Sequence, residues 1–132
     1  MFWANWSGNG GNWRWGVDFH LTNLDTSCWG IMPINGSAEL YCRIRIGEVN
    51  TNITVSNGAN DGTWHHYAIT YNGIRFIAYR DGVEVGNVAA TGYIDTCDEI
   101  VIHPAGGTNT IDNLKIFKKA LTPAQIVEQM NS

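Results

Sequence analysis

The stretch Trp64-His65-His66-Tyr67-Ala68-Ile69-Thr70-Tyr71-Asn72-Gly73-Ile74-Arg75-Phe76-Ile77-Ala78-Tyr79-Arg80-Asp81-Gly82-Val83-Glu84-Val85 decides the fold. It is rich in aromatic and β-branched residues, which favour a pleated, half-buried backbone. Asn72-Gly73 and Asp81-Gly82 interrupt it at strand-length intervals. Both pairs read as two-residue hairpin turns of the mirror-image type, because both central positions need positive φ. Residues 64–87 therefore form an antiparallel meander of three strands. On the first of them Trp64, His66, Ala68 and Thr70 share one face, and His65, Tyr67, Ile69 and Tyr71 the other.

Period-two alternation recurs on both sides of this meander, bounded by clusters of Gly, Asn and Asp. Strands are expected over residues 2–6, 14–21, 29–33, 39–46, 52–56, 64–71, 74–80, 83–87, 100–103 and 110–117. One helix is expected near the end. Thr122 suits the N-cap, Pro123 the first helical position, and Gln125 closes a capping box. Ile126, Val127 and Met130 then form an apolar stripe to lay across a sheet. There is no βαβ alternation and no internal repeat. The expected fold class is all-β, a two-sheet antiparallel sandwich with a short C-terminal helix, as one domain over residues 1–132.

Composition sets the outer bounds. The chain has 132 residues, 44% of them hydrophobic and 15% charged, which supports a packed core rather than disorder. A net charge of −4 and scattered basic residues argue against nucleic acid, whose phosphates need a basic stripe. Lys118-Lys119 reads as a solvated strand end. No apolar run approaches the roughly 20 residues of a bilayer span, and Met1-Phe2-Trp3 does not begin a signal peptide. Three sequons, at Asn5, Asn35 and Asn52, are too few to carry weight in so Asn-rich a chain.

Three cysteines, Cys28, Cys42 and Cys97, leave one odd thiol however they pair. Cys28 and Cys42 flank the hairpin signal Asn35-Gly36. A three-residue loop Ile34-Asn35-Gly36 sets them opposite each other, whereas a two-residue loop misaligns them by one. A Cys28–Cys42 disulfide is thus register-dependent, and three buried thiols are the alternative.

Two motifs resemble the laminin-G-like family of the concanavalin A-like jelly rolls. Asp61-Gly62-Thr63-Trp64-His65-His66-Tyr67-Ala68-Ile69-Thr70-Tyr71 is similar to its G-x-W-H-H-x-A-x-x-Y signature, followed by Tyr79-Arg80-Asp81-Gly82 at the next hairpin. Thr110-Ile111-Asp112 through Ile116-Phe117, then Ala120-Leu121-Thr122-Pro123-Ala124-Gln125-Ile126, is similar to its last strand and closing helix. The motifs span residues 61–130; the first sixty residues match in pattern only. The resemblance implies a concanavalin A-like jelly roll with one or two further strands ahead of residues 2–6. With those missing, an unpaired sheet edge is expected to favour a homo-oligomer or strand donation by another chain. It implies a structural Ca²⁺ held by Asp112, with Asn113 or Asp95 assisting, since calcium prefers hard oxygen ligands; a hydrogen-bonded anchor is the other reading of Asp112. It also implies an extracellular or cell-surface location.

Some jelly rolls of this type cleave glycans with two carboxylates on alternate strand positions. Here Asp98 and Glu99 are adjacent and point oppositely, Asp95 lies a loop away, and position 114, two beyond Asp112, is leucine. No G-x-S-x-G, H-E-x-x-H, C-x-x-C or phosphate loop occurs. The expectation is a chain that is not an enzyme.

Binding is better supplied. Trp3, Trp6, Trp13, Trp15 and Trp29 crowd the first thirty residues. Such rings stack on sugar faces, while Asn and Arg serve hydroxyls. Alternation assigns Trp3, Trp15 and Trp29 to the core and leaves Trp6 and Trp13 as the rings for a ligand. The expected glycan site is Trp6, Asn12, Trp13 and Arg14, around the glycine-rich 7–15 loop; core packing is the alternative for its rings. Trp64 is expected in the core and His66 buried and hydrogen-bonded. The function read is lectin-like carbohydrate binding. The alternative is a protein-interaction or adhesion domain.

Overall fold

The structure, a computed structural model, describes residues 1–7, 16–21, 26–34, 37–59, 61–102 and 108–132. Its strands are β1 (Phe2–Ser7), β2 (Val17–Leu21), β3 (Thr26–Pro33), β4 (Leu40–Ile46), β5 (Val49–Val55), β6 (Trp64–Tyr71), β7 (Arg75–Arg80), β8 (Val83–Ala89), β9 (Glu99–Ile102) and β10 (Thr108–Asp112), followed by the helix α1 (Pro123–Met130). They form two five-stranded antiparallel sheets, ordered β10-β1-β6-β7-β8 and β5-β4-β3-β2-β9. This is the expected jelly-roll sandwich.

Alternation places the core between the sheets. Phe2, Ala4 and Trp6 of β1, Tyr67 of β6 and Phe76 of β7 meet Val17, Ile31, Leu40, Cys42 and Ile44 of the second sheet. Trp6 leans on Tyr67 with ring centroids 4.5 Å apart and meets Phe2 edge-on at 6.0 Å. Such aromatic pairs add to the burial of their area.

The other face of the first sheet is also covered. The Thr122 hydroxyl accepts from Gln125 N, and Gln125 Oε1 accepts from Thr122 N, so the expected capping box starts α1. Leu121 and Ile126 then pack on Ala68 and Tyr79. Strand β6 is therefore buried on both faces. Tyr67, Ile69 and Tyr71 look between the sheets, while Ala68 looks toward α1. Trp64, expected in the core, lies on the helix-side face at the strand's end and is 46% exposed. His66 is buried as expected, with its ring 5.5 Å from that of Trp3, but its buried Nδ1 has no hydrogen-bond partner among the described residues, contrary to the expectation.

The turns divide. Asp81 and Gly82 both have positive φ, at 52° and 78°, in the two-residue hairpin between Arg80 and Val83. At the other turn Gly73 alone has positive φ; Asn72 instead accepts the N–H groups of Ile74 and Arg75 on its side chain, so the loop shifts by one residue. A further mirror-image turn at Gly47-Glu48 starts β5 at Val49, earlier than expected. Glu48, at φ 68°, is a poor residue for that conformation.

Three corrections concern the chain's connections. Residues 2–7 take the place beside the last strand, because β1 lies between β10 and β6; the sheet's edges are β10 and β8. The last strand ends at Asp112, since Asn113 has φ 53°. Beyond it Lys115 exchanges backbone hydrogen bonds with Met1. The disulfide joins Cys28 to Cys97, with Cα atoms 6.1 Å apart, and Cys42 is a free buried thiol. Cys42 sits opposite Ile31, so it shares the core face, and Cys28 alternates to the outer face. The β3–β4 connection causes this: Pro33 pairs with Leu40, a longer loop than either expected one. Burial pushes the Cys42 thiol pKa up, which keeps it protonated and unreactive.

Candidate functional site

Strand directions bring several connections to one end of the sandwich. β1 leaves its sheet there at Ser7, paired with Thr108 at the start of β10. The chain re-enters at Gly16, whose N–H donates to Ile31 O. Residues 56–59 and 61–63 and the Asp81-Gly82 turn complete this loop end, with Gly62 N donating to Trp6 O.

A polar cluster is built on it from the starts of two strands' pairing. His66 and Asp81 exchange contacts: Asp81 N donates to His66 O at 2.8 Å, and His66 N donates to Asp81 Oδ1 at 2.9 Å. This clamps the turn to β6 and brings His65 between two carboxylates. His65 Nδ1 lies 2.7 Å from Asp81 Oδ2, and Nε2 lies 2.8 Å from Asp61 Oδ2. Arg80 Nη2 donates to Asp61 Oδ2 at 2.7 Å and lies 2.6 Å from His65 Nε2. Its Nη1 donates to Asn57 O at 3.0 Å, tying the segment after β5 to β7. Thr63 donates to Asp61 Oδ1 through both N–H and hydroxyl. A ring with its proton on Nδ1 donates to Asp81 and accepts from Arg80; a protonated ring donates to both carboxylates.

Although partial burial acts the other way, the Thr63 hydroxyl and N–H together with His65 hold the Asp61 carboxyl well below the usual range. Asp61 is thus ionised at neutral pH. A glycosidase acid needs the reverse, a raised pKa. Thr63, His65 and Asp81 stand in the order hydroxyl, imidazole, carboxylate, with Thr63 Oγ1 2.7 Å from Nε2. The same Nε2 is crowded by Asp61 and Arg80, so this arrangement braces the loop more readily than it activates a nucleophile. On the outer lip, half-exposed Trp64 pairs with Asn5 of β1. The rim therefore carries a fixed carboxylate, a guanidinium, an amide and an aromatic ring.

The residues expected from sequence are dispersed. Trp6 is 2% exposed, because its alternation with Phe2 and Ala4 turns the ring into the core, and it presents no surface to a ligand. Asn12, Trp13 and Arg14 lie outside the described residues. Asp112 ends β10 at the opposite end, where its Oδ1 accepts from Asn113 N at 2.7 Å. Asp95 serves the second sheet. Its two oxygens accept from Gly47 N at 2.7 Å and Glu48 N at 3.0 Å, with Arg45 at 3.5 Å. That carboxylate holds the strained turn before β5. Among the described residues no group of three His, Cys, Asp or Glu side chains is placed to hold a metal ion. None of their helices is long and apolar enough to cross a membrane.

Sequence reasoning passed over Asp61, His65, Arg80 and Asp81, although all lie in the motif that decided the fold. The signal was the hairpin register: any pairing of β6 with β7 that keeps their faces brings His65 to the Arg80-Asp81 end.

A search of curated proteins found no match. Among solved structures the chain is similar to an S-layer domain-containing protein (residues 221–444) from Clostridium thermocellum ATCC 27405, at 18% identity and a TM-score of 0.39, over 76% of this chain. It spans 54% of that solved chain. A family model for laminin G-type domains, described as the concanavalin A-like lectin/glucanases superfamily, matches residues 1–127. With two five-stranded antiparallel sheets already in place, that match over almost the whole length assigns the family: the chain belongs to the concanavalin A-like lectin/glucanases superfamily.

Proposed function

We propose that this chain is a non-catalytic, lectin-like module that binds extracellular or cell-surface glycan at the loop end of its sandwich. The observation that carries the reading is the rim itself: half-exposed Trp64 and its neighbour Asn5 on one lip, and ionised Asp61 with Arg80 on the other. Sugar recognition asks for a ring face to stack on and fixed polar groups for hydroxyls. Because the polar groups hold one another, little ordering cost remains for binding. The Ser7–Gly16 connection, with Asn12, Trp13 and Arg14, belongs to the same proposal. The Cys28–Cys97 disulfide fits an oxidising, extracellular setting.

The test is a glycan array with the folded protein, in calcium and again in chelator. Binding to defined sugars that is lost in Trp64→Ala and Asp61→Ala supports the site. The calcium part of the reading rests on Asp112 and Asn113, and binding that ignores chelator removes it.

A second reading, association with a second copy or a protein partner, has one observation of its own. Ile100 and Ile102 on β9, an edge strand of the second sheet, are 48% and 50% exposed. Apolar edges invite strand pairing. Sedimentation of the wild type against Ile100→Lys separates this reading, since glycan binding survives that change and self-association does not.

A further inference from the structure

At the end opposite the polar rim the sheets part around a pocket of about 250 Å³. Trp29 and Ile44 line it from the second sheet, and Tyr71 and Phe76 from the first. Trp29 is braced from behind by Phe19, stacked with ring centroids 3.7 Å apart. The Tyr71 hydroxyl donates to Gly92 O at 2.7 Å, so this ring offers the pocket mostly its apolar body. Residues 115–121 run along the mouth without regular structure.

The charges at this mouth have one sign. Lys115, Lys118 and Lys119 line it, and no Asp or Glu does. Lys115 Nζ is occupied, donating to Gln129 O at 2.8 Å on α1. Lys118 and Lys119 are exposed, and among the described residues neither has an ion-pair partner. An apolar cavity rimmed by two uncommitted ammonium groups complements a ligand with an apolar body and an anionic head. Its volume lies just under the roughly 300–1,000 Å³ of drug-sized ligand sites, so the ligand is small.

We propose that this pocket binds a small anionic amphiphile, its hydrocarbon or aromatic body between Trp29 and Tyr71 and its carboxylate at Lys118 and Lys119. The site is separate from the glycan rim and independent of that reading.

The experiment is calorimetric titration of the folded, disulfide-intact chain with octanoate, and with octanamide as its uncharged counterpart, followed by amide chemical shifts. Saturable octanoate binding is expected, with shifts centred on Trp29, Tyr71 and Phe76. Octanamide should bind at least about tenfold more weakly, which corresponds to about 1.4 kcal/mol. The exposed double variant Lys118→Gln/Lys119→Gln should lower octanoate affinity by a similar factor and leave octanamide unchanged. No saturable binding up to roughly 1 mM, a threshold near −4 kcal/mol, overturns the proposal. So do equal affinities for the two ligands, or an unaltered octanoate affinity in the variant.

Discussion

At one end of the sandwich Asp61, His65, Arg80 and Asp81 hold one another in short charge-assisted hydrogen bonds. At the other, Trp29, Tyr71 and Phe76 line an apolar pocket with lysines at its lip. The two ends use the same strands in opposite ways. β6 carries near its start a histidine fixed among carboxylates and ends with a tyrosine whose ring lines a cavity. Folding energy and fixed polar geometry thus sit at different ends. Exposed ion pairs contribute little to folding but fix geometry. Buried apolar area and a long-range covalent link contribute much and specify less.

The largest expected effect is at the apolar end, where Cys28–Cys97 ties β3 to the segment before β9 across 69 residues of sequence. Replacing both cysteines by alanine should cost about 4 kcal/mol in the chain-entropy picture. Denaturant unfolding with and without reductant measures it, and a loss under 1 kcal/mol would mean that the pairing adds little. Next is Phe76→Ala, which empties part of the same end. A fully buried phenylalanine should cost about 3–5 kcal/mol, whereas a small loss would show that the pocket side of the core relaxes freely.

How much of this was legible in the sequence depends on range. Local patterns placed all ten strands, the Asp81-Gly82 hairpin and the capping box, because each is decided by neighbours in the chain. Failures came from partners far away. Glu48 adopts positive φ because Asp95, 47 residues on, accepts its N–H and that of Gly47, so no turn signature marks the start of β5. The cysteine pairing turned on one loop length, which moved Cys42 to the core face. Trp64 reads as inward because α1 covers part of the outer face of β6, so both faces of that strand carry residues suited to a core. The polar cluster was visible residue by residue, yet its members read as parts of a structural signature rather than as one site.

A third expectation sharpens the comparison through pH. Burial, with help from the Met1 ammonium, lowers the His66 pKa from 6.5 to about 4, against the opposing pull of Asp81. The folded value lies below the unfolded one, so the unfolded chain binds more protons as the medium acidifies. Stability should therefore fall between about pH 6.5 and 4, by at most about 1.4 kcal/mol per unit. His66→Phe should flatten that window in denaturant titrations, and an unchanged slope would assign the acid loss elsewhere. At the polar end, Tyr67→Phe removes the buried hydrogen bond to Gly58 O and should cost about 1 kcal/mol. Smallest is Asp61→Asn. Its partners are partly exposed, so unfolding should shift by under about 1 kcal/mol, although the rim loses its ionised acceptor and with it most glycan affinity.

Glycan recognition, as proposed, belongs to the polar end. Amide chemical shifts of the folded chain, titrated with a sugar selected from the array, test it most directly. Perturbations are expected at Asn5, Trp64, His65 and Arg80, with Trp29 and Phe76 unmoved. Perturbations centred on the apolar end, or a rim that no sugar perturbs, would contradict it.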